Sequence, residues 1–195
     1  MSDIFEQPDD TATPLTPEEM RDLIPAHIAD RADLNVAEQE NIARGQDWAL
    51  ARHRDVLSEK FIKELHRQMF GEVWRWAGKF RQTERNLGIP YYEVPVAVRQ
   101  LLDDVKAWIE FKSYPPDEIA VRFHHRLVAI HPFPNGNGRH TRLMADLLVM
   151  KLGGKRFSWG RANLRDAGTM RTQYIAALKA ADDHDIDALL AFARS

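Results

Sequence analysis

Apolar residues recur along this chain mostly three and four positions apart, the spacing of one face of an α-helix. Val56, Phe61, Ile62, Leu65, Met69 and Phe70 predict a helix ending near Gly71. Val98, Leu101, Leu102, Val105, Trp108 and Ile109 predict another from Val96 to Phe111, and Pro115-Pro116 stops its continuation. Asp117 opens a third, through Ile119, Val121, Phe123, Leu127 and Ile130. It must close at His131-Pro132, because the residue before a proline is driven out of the α region. Leu143, Met144, Leu147, Leu148 and Met150 mark an apolar helix after Gly138 that ends at Gly153-Gly154. Met170 to Leu178 and Ile186 to Phe192 read as two more.

The pattern is weaker upstream. Residues 1–17 carry Pro8, Pro14 and Pro17 among acidic and threonine residues, the composition of a flexible tail. Thr16-Pro17-Glu18-Glu19 supplies an N-cap, a proline at the first helical position and the glutamate of a capping box, so a helix is expected to start there and to break at Pro25. From Asn35 to Arg52, Ile42, Trp48 and Leu50 alternate with Glu38, Glu40, Arg44 and Asp47, which predicts a partly buried helix despite Gly45. Gly78, Gly88, Pro90 and Pro95 exclude a regular helix over 78–95, while Leu87, Ile89, Tyr91, Tyr92 and Val94 favour extended backbone and a short β-hairpin. The expected fold class is all-α with one small hairpin.

Composition narrows the function. With 195 residues, 44% hydrophobic and 29% charged, the chain is that of an ordinary globular domain, and a formal charge of −2 gives no positive indication of nucleic acid. The absence of cysteine excludes disulfides and thiolate metal sites and makes the cytoplasm the expected compartment. MSDIFEQPDD has neither the basic nor the apolar region of a secretory leader, and no stretch reaches the ~18 apolar residues of a span, so no membrane partner is expected.

The candidate chemistry lies in HPFPNGNGRHTR, between two apolar helices. A Gly-Asn-Gly turn alone is usually only a turn. Here Gly136 and Gly138 allow positive φ and close backbone approach to a ligand, and the N–H groups opening the second helix attract anions. Arg139 and Arg142, three residues apart, add guanidinium forks that match phosphate oxygens. His131, with an ordinary pKa near ~6.5, can accept a proton from an attacking hydroxyl. His124, His125 and His140 lack a metal-binding spacing and are expected at the surface or the core edge.

These residues resemble the signature of the Fic family, H-x-F-x-(D/E)-G-N-G-R-x-x-R, matched by His131, Phe133, Gly136, Asn137, Gly138, Arg139 and Arg142. Within the family the chain resembles the subgroup called mobile mystery protein B. The resemblance implies a Fic domain over 53–195 that transfers AMP from ATP to a Ser, Thr or Tyr hydroxyl of a target protein. His131 would be the general base, counted as catalytic with Arg139. Gly136 and Gly138 would line an anion hole, Asn137 and Arg139 would hold the α- and β-phosphates, and Arg142 would orient the γ-phosphate. Phe133 would fix the loop from the core, and the target would dock on the 78–95 hairpin. Asn135 stands where the family carries an acidic ligand of Mg²⁺, so one negative charge is missing.

The helical extension 18–52 is a candidate inhibitory element, since Glu40-Asn41 matches the end of the family pattern (S/T)-x-x-x-E-(G/N), although Val36 replaces the hydroxyl residue. Glu40 would then pair with Arg142. Two alternatives remain open at this point: transfer of another phosphate-containing group, and a nucleotide-binding interaction module with little catalysis.

Overall fold

The computed structural model describes residues 15–52, 54–160 and 167–195. The tail expected at 1–17 lies almost wholly outside them. The architecture is helical: α1 (Pro17–Met20), α2 (Arg31–Leu50), α3 (Glu59–Phe70), α4 (Val94–Glu110), α5 (Pro116–Ile130), α6 (Asn137–Lys151), α7 (Ala167–Asp182) and α8 (Asp187–Arg194). Among the described residues the extended pairing is a single antiparallel bridge between Leu23 and Trp74.

The start of α1 is the capping box that its sequence predicts, with Thr16 N–H donating to Glu19 Oε2 (2.8 Å) and Glu19 N–H to Thr16 Oγ1 (3.3 Å). The helix ends at Met20, before Pro25, because the chain turns to bridge Trp74, with Ile24 N–H on the Val73 carbonyl and Arg75 N–H on that of Asp22. Asp30 caps Asp33 N–H at 2.9 Å and starts α2 at Arg31, earlier than the expected Asn35.

The buried face of α2 mixes apolar Leu34 and Ala49 with polar Glu38 and Asn41 and with Gly45. That face lies along α3. Asn41 closes the end of α3 there, its Nδ2 donating to the Gln68 carbonyl and its Oδ1 accepting from Glu72 N–H, both at 2.9 Å. Gly45 is required by the crossing, since a Cβ there would sit 2.8 Å from the Met69 backbone.

α6 is the axis of the molecule. Every residue from Leu143 to Val149 is buried, and α5, α3 and α2 all pack against it. Phe61, Ile62, Leu65, Met69 and Phe70 of α3 and Ile119, Ala120, Phe123 and Leu127 of α5 supply the facing apolar surfaces. α4 covers α5 from the other side, and α7 and α8 form an antiparallel pair whose α8 leans on α5.

The hairpin expected over 78–95 is not formed. The segment is a run of turns closed by a 3₁₀ turn at Tyr91–Glu93, and α4 begins at Val94, two residues before the expected Val96. The reason is Arg81, whose fully buried side chain takes the carbonyls of Thr83 (3.1 Å) and Ile89, so they face a guanidinium rather than a partner strand.

The crossing of α2 and α3 is tested by Gly45→Ala. Alanine is the better helix former by roughly 1 kcal/mol, whereas forcing a methyl into a packed contact costs about 1–3 kcal/mol. Urea unfolding is therefore expected to show net destabilisation, and a stabilised variant would contradict so close a crossing.

Candidate active site

The loop between α5 and α6 leaves one helix and enters the next through left-handed residues at both ends. His131 caps α5 at φ 55°, ψ 61°, and Gly136 stands before α6 at φ 78°, ψ 1°. For histidine this conformation is costly, roughly 1–2 kcal/mol, and the surroundings hold it there. The His131 carbonyl accepts from Arg81 Nε at 2.7 Å, and the next carbonyl, Pro132, accepts from Arg81 N–H at 3.0 Å. Gly88 (φ 98°) approaches so closely that a Cβ there would lie 2.6 Å from His131 Cβ. Gly136 is fixed twice over, by its positive φ and by the Phe70 ring, 2.5 Å from where a Cβ would be.

Inside the loop the polar groups close on one another. Asn137 Oδ1 accepts from Phe133 N–H (2.9 Å) and its Nδ2 donates to the Phe133 carbonyl (2.8 Å). Phe133, wholly buried, stacks on the His66 ring at 3.7 Å. His66 Nδ1 accepts from Gly78 N–H (3.0 Å), so its proton sits on Nε2, which donates to the Asn135 carbonyl (3.1 Å). A single neutral ring thereby ties the loop to the start of the 78–95 segment. Asn135 Oδ1 accepts from Gly136 N–H at 2.6 Å.

The electrostatics are those of a base beside an anion trap. Burial, helped by the charges of Arg81 and Arg85 and opposed by a hydrogen bond to the Val128 backbone, lowers the His131 pKa to about 4. The ring is neutral at pH 7. The opening N–H groups of α6 have no partner within the helix by geometry, and no side chain caps them. Arg139 in the first turn and Arg142 in the second reach different neighbours. Arg139 lies over Phe70 and pairs with Glu38 at 2.7 Å; Arg142 lies over the ring of Tyr174, 5.0 Å from its centroid.

The structure thus holds His131, Asn135, Gly136, Asn137, Gly138, Arg139 and Arg142 on one loop and the first two turns of α6, with three departures from expectation. Gly138 is helical and a Cβ there would meet only Arg142 and Tyr174 at 3.9 Å, so its smallness leaves space rather than enabling a turn. The Asn137 side chain faces inward onto Phe133, and what it can offer an anion is its backbone N–H. Glu40 is exposed on α2, and the carboxylate that reaches the motif is Glu38, buried between Trp74 Nε1 (2.9 Å) and Arg139 rather than at Arg142.

His124 and His140 are fully buried, not at the core edge. Among the described residues no group of His, Cys, Asp and Glu side chains could hold a metal ion. Sequence reasoning passed over Glu38, His66, Arg81 and Tyr174 as site-forming residues. The available signals were a polar residue inside the apolar stripe of α3 and the run Gly78-Lys79-Phe80-Arg81.

Residues 56–149 match the model of the Fic/DOC family. Residues 56–149 thus carry a Fic/DOC domain. Protein adenylyltransferase fic-1 of Caenorhabditis elegans is 34% identical over 108 residues, 53% of this chain and 21% of the relative. Protein adenylyltransferase Fic of Drosophila grimshawi is 30% identical over 165 residues, 80% of this chain and 33% of the relative. The chain therefore spans about a fifth to a third of the curated relatives it matches. The fold is also that of BepC, a VirB-translocated effector of Bartonella tribocorum solved with bound AMPPNP, at a TM-score of 0.68 and 17% identity over 92% of this chain and 97% of that one.

The Fic loop rests on buried neutral imidazoles, and this gives a pH prediction. Burial lowers His131 to about 4 and His124 and His140 to about 3, and it lowers His66 well below its ordinary 6.5. Unfolded histidines take up protons near pH 6.5 that these folded ones refuse. Their stability contribution is complete above that pH and is lost as pH falls through the window from 6.5 toward 3. Each group contributes up to about 1.4 kcal/mol per pH unit within its window. Urea midpoints measured from pH 7.5 to 4.5 are expected to be level at first and to drop steeply below 6.5; a level profile to pH 4.5 would contradict neutral burial.

Proposed function

We propose that this Fic domain transfers AMP from ATP to a Ser, Thr or Tyr hydroxyl of a target protein. The observation that carries the reading is the union, in one closed loop, of a neutral buried His131 with the open N-terminus and two arginines of α6. The adenylyltransferase names of its relatives support it. In the reaction His131 takes the hydroxyl proton as the target oxygen bonds to the α-phosphorus. The bond from that phosphorus to the bridging oxygen breaks, and pyrophosphate leaves. The N–H groups of Asn137 and Gly138 and the guanidinium of Arg139 face the α- and β-phosphates, and Arg142 the γ-phosphate, while the Gly136 N–H is held by Asn135 Oδ1. The target docks over residues 78–95, where Tyr92, Leu87 and, at the start of α4, Val96 are exposed. Among the described residues no helix is long and apolar enough to cross a membrane.

Mg²⁺, the expected companion of ATP, finds one side-chain oxygen at the position assigned to it, Asn135 Oδ1, already occupied by Gly136 N–H. That amide alone does not make a metal site. The missing carboxylate favours a second reading, a nucleotide-binding module with slow transfer.

The two readings separate in one experiment. With labelled ATP and candidate target protein, His131→Ala is expected to lose transfer by ~10²–10⁴-fold while retaining ATP binding. ATP binding without transfer by the unaltered chain would instead support the module.

Regulation belongs to Glu38 rather than Glu40, because its carboxylate occupies the arginine meant for phosphate. Glu38→Gln keeps the volume and an oxygen for Trp74 but removes the charge. ATP affinity and auto-modification are expected to rise about tenfold, equivalent to about 1.4 kcal/mol. Unchanged affinity in isothermal calorimetry would show that Arg139 is not restrained by the pair.

A further inference from the structure

α7 brings a tyrosine against the second motif arginine. Tyr174 is almost fully buried, and its hydroxyl lies 3.0 Å from Nε2 of His124, a histidine of α5 with no exposed surface. The Arg142 guanidinium lies over the same tyrosine ring, 5.0 Å from its centroid. A Cβ on Gly138 would be 3.9 Å from both Arg142 Nη1 and the Tyr174 hydroxyl, so the two groups meet beside the first turn of α6. Three helices, α5, α6 and α7, each give one member to the cluster.

The direction of the hydrogen bonds follows from charge. A guanidinium only donates, so the hydroxyl proton of Tyr174 is repelled from Arg142 and its oxygen lone pairs are drawn toward it. That proton must go to an acceptor, which the neutral Nε2 of His124 provides. Burial, and then the Arg142 charge, lowers His124 to about 3, so the imidazole stays neutral at any working pH. Tyr174 is held protonated: burial raises its pKa, against the opposing charge and side-chain hydrogen bond of Arg142. Trp159, 4.8 Å from the His124 ring, and Phe192, 5.6 Å from that of Tyr174, fix both planes.

We propose that Tyr174, backed by His124, is a positioning residue that orients the Arg142 guanidinium toward the terminal phosphate of the bound nucleotide. The inference rests on the nucleotide reading of the α6 N-terminus and assigns it a determinant of triphosphate over diphosphate. Gly138 serves the same end by leaving the ground between guanidinium and hydroxyl unfilled.

Calorimetry on the full chain with ATP and with ADP tests it. Tyr174→Phe keeps the ring and removes the hydroxyl. It is expected to weaken ATP roughly fivefold to tenfold, about the worth of one ordinary hydrogen bond, and to leave ADP within about twofold. His124→Leu should act like Tyr174→Phe, and His124→Gln, which restores an acceptor oxygen, should recover ATP affinity relative to it. Equal weakening of ATP and ADP, or no change in either for Tyr174→Phe while Arg142→Ala weakens ATP, would overturn the proposal. If Arg142→Ala itself leaves ATP affinity unchanged, the placement of the terminal phosphate fails, and the proposal with it.

Discussion

Two hydrogen bonds between the Asn137 amide and the backbone of Phe133 close the loop from which everything else at the site takes its position. The chain must reverse between α5 and α6 within a few residues, using left-handed backbone at His131 and at Gly136. Strain of roughly 1–2 kcal/mol at His131 is offset by hydrogen bonds worth about 1 kcal/mol each and by burial of Phe133, worth roughly 1.5–3 kcal/mol. The result is a base on one lip of the loop and a helix N-terminus on the other, both held by a buried core before any ligand arrives.

Rigidity comes also from beneath and from the side. His66 links the Asn135 carbonyl to Gly78 N–H, and Arg81 links the His131 carbonyl to those of Thr83 and Ile89. Both ties join the α5–α6 loop to the 78–95 segment, over which a target is proposed to dock. Arg85, nearly buried, extends this frame to Glu19 of α1. The carboxylate that reaches the motif is that of Glu38, and it enters from α2, a helix whose inner face carries Asn41 and Gly45 where it lies close on α3.

Much of this was legible in the sequence, for physical reasons. The helices α3 to α6 announce themselves because a buried helix needs apolar residues at i, i+3 and i+4, and Pro132, Gly136 and Gly138 punctuate the loop that carries the chemistry. The capping box at Thr16 was readable because it is local. What was missed depends on residues far apart in the chain. Glu38 reads as a solvated acid until Trp74 and Arg139 are brought to it. The 78–95 segment reads as a hairpin because nothing local shows that Arg81 will claim its carbonyls. His124 and His140 look peripheral because a polar residue among apolar ones carries no sign of whether the fold will give it a partner. Gly45, a weak point in an isolated helix, becomes necessary only when Met69 lies against it.

The central claim is that the loop directs a hydroxyl to the α-phosphorus. Its most direct measurement compares ATP labelled at the α-phosphate with ATP labelled at the γ-phosphate, in parallel reactions with the same target protein. Covalent label from the α-position alone, with labelled pyrophosphate released from the γ-labelled nucleotide, is the predicted result. Label retained on protein from the γ-position would mean that a phosphoryl group, and not AMP, is transferred, and would contradict the account.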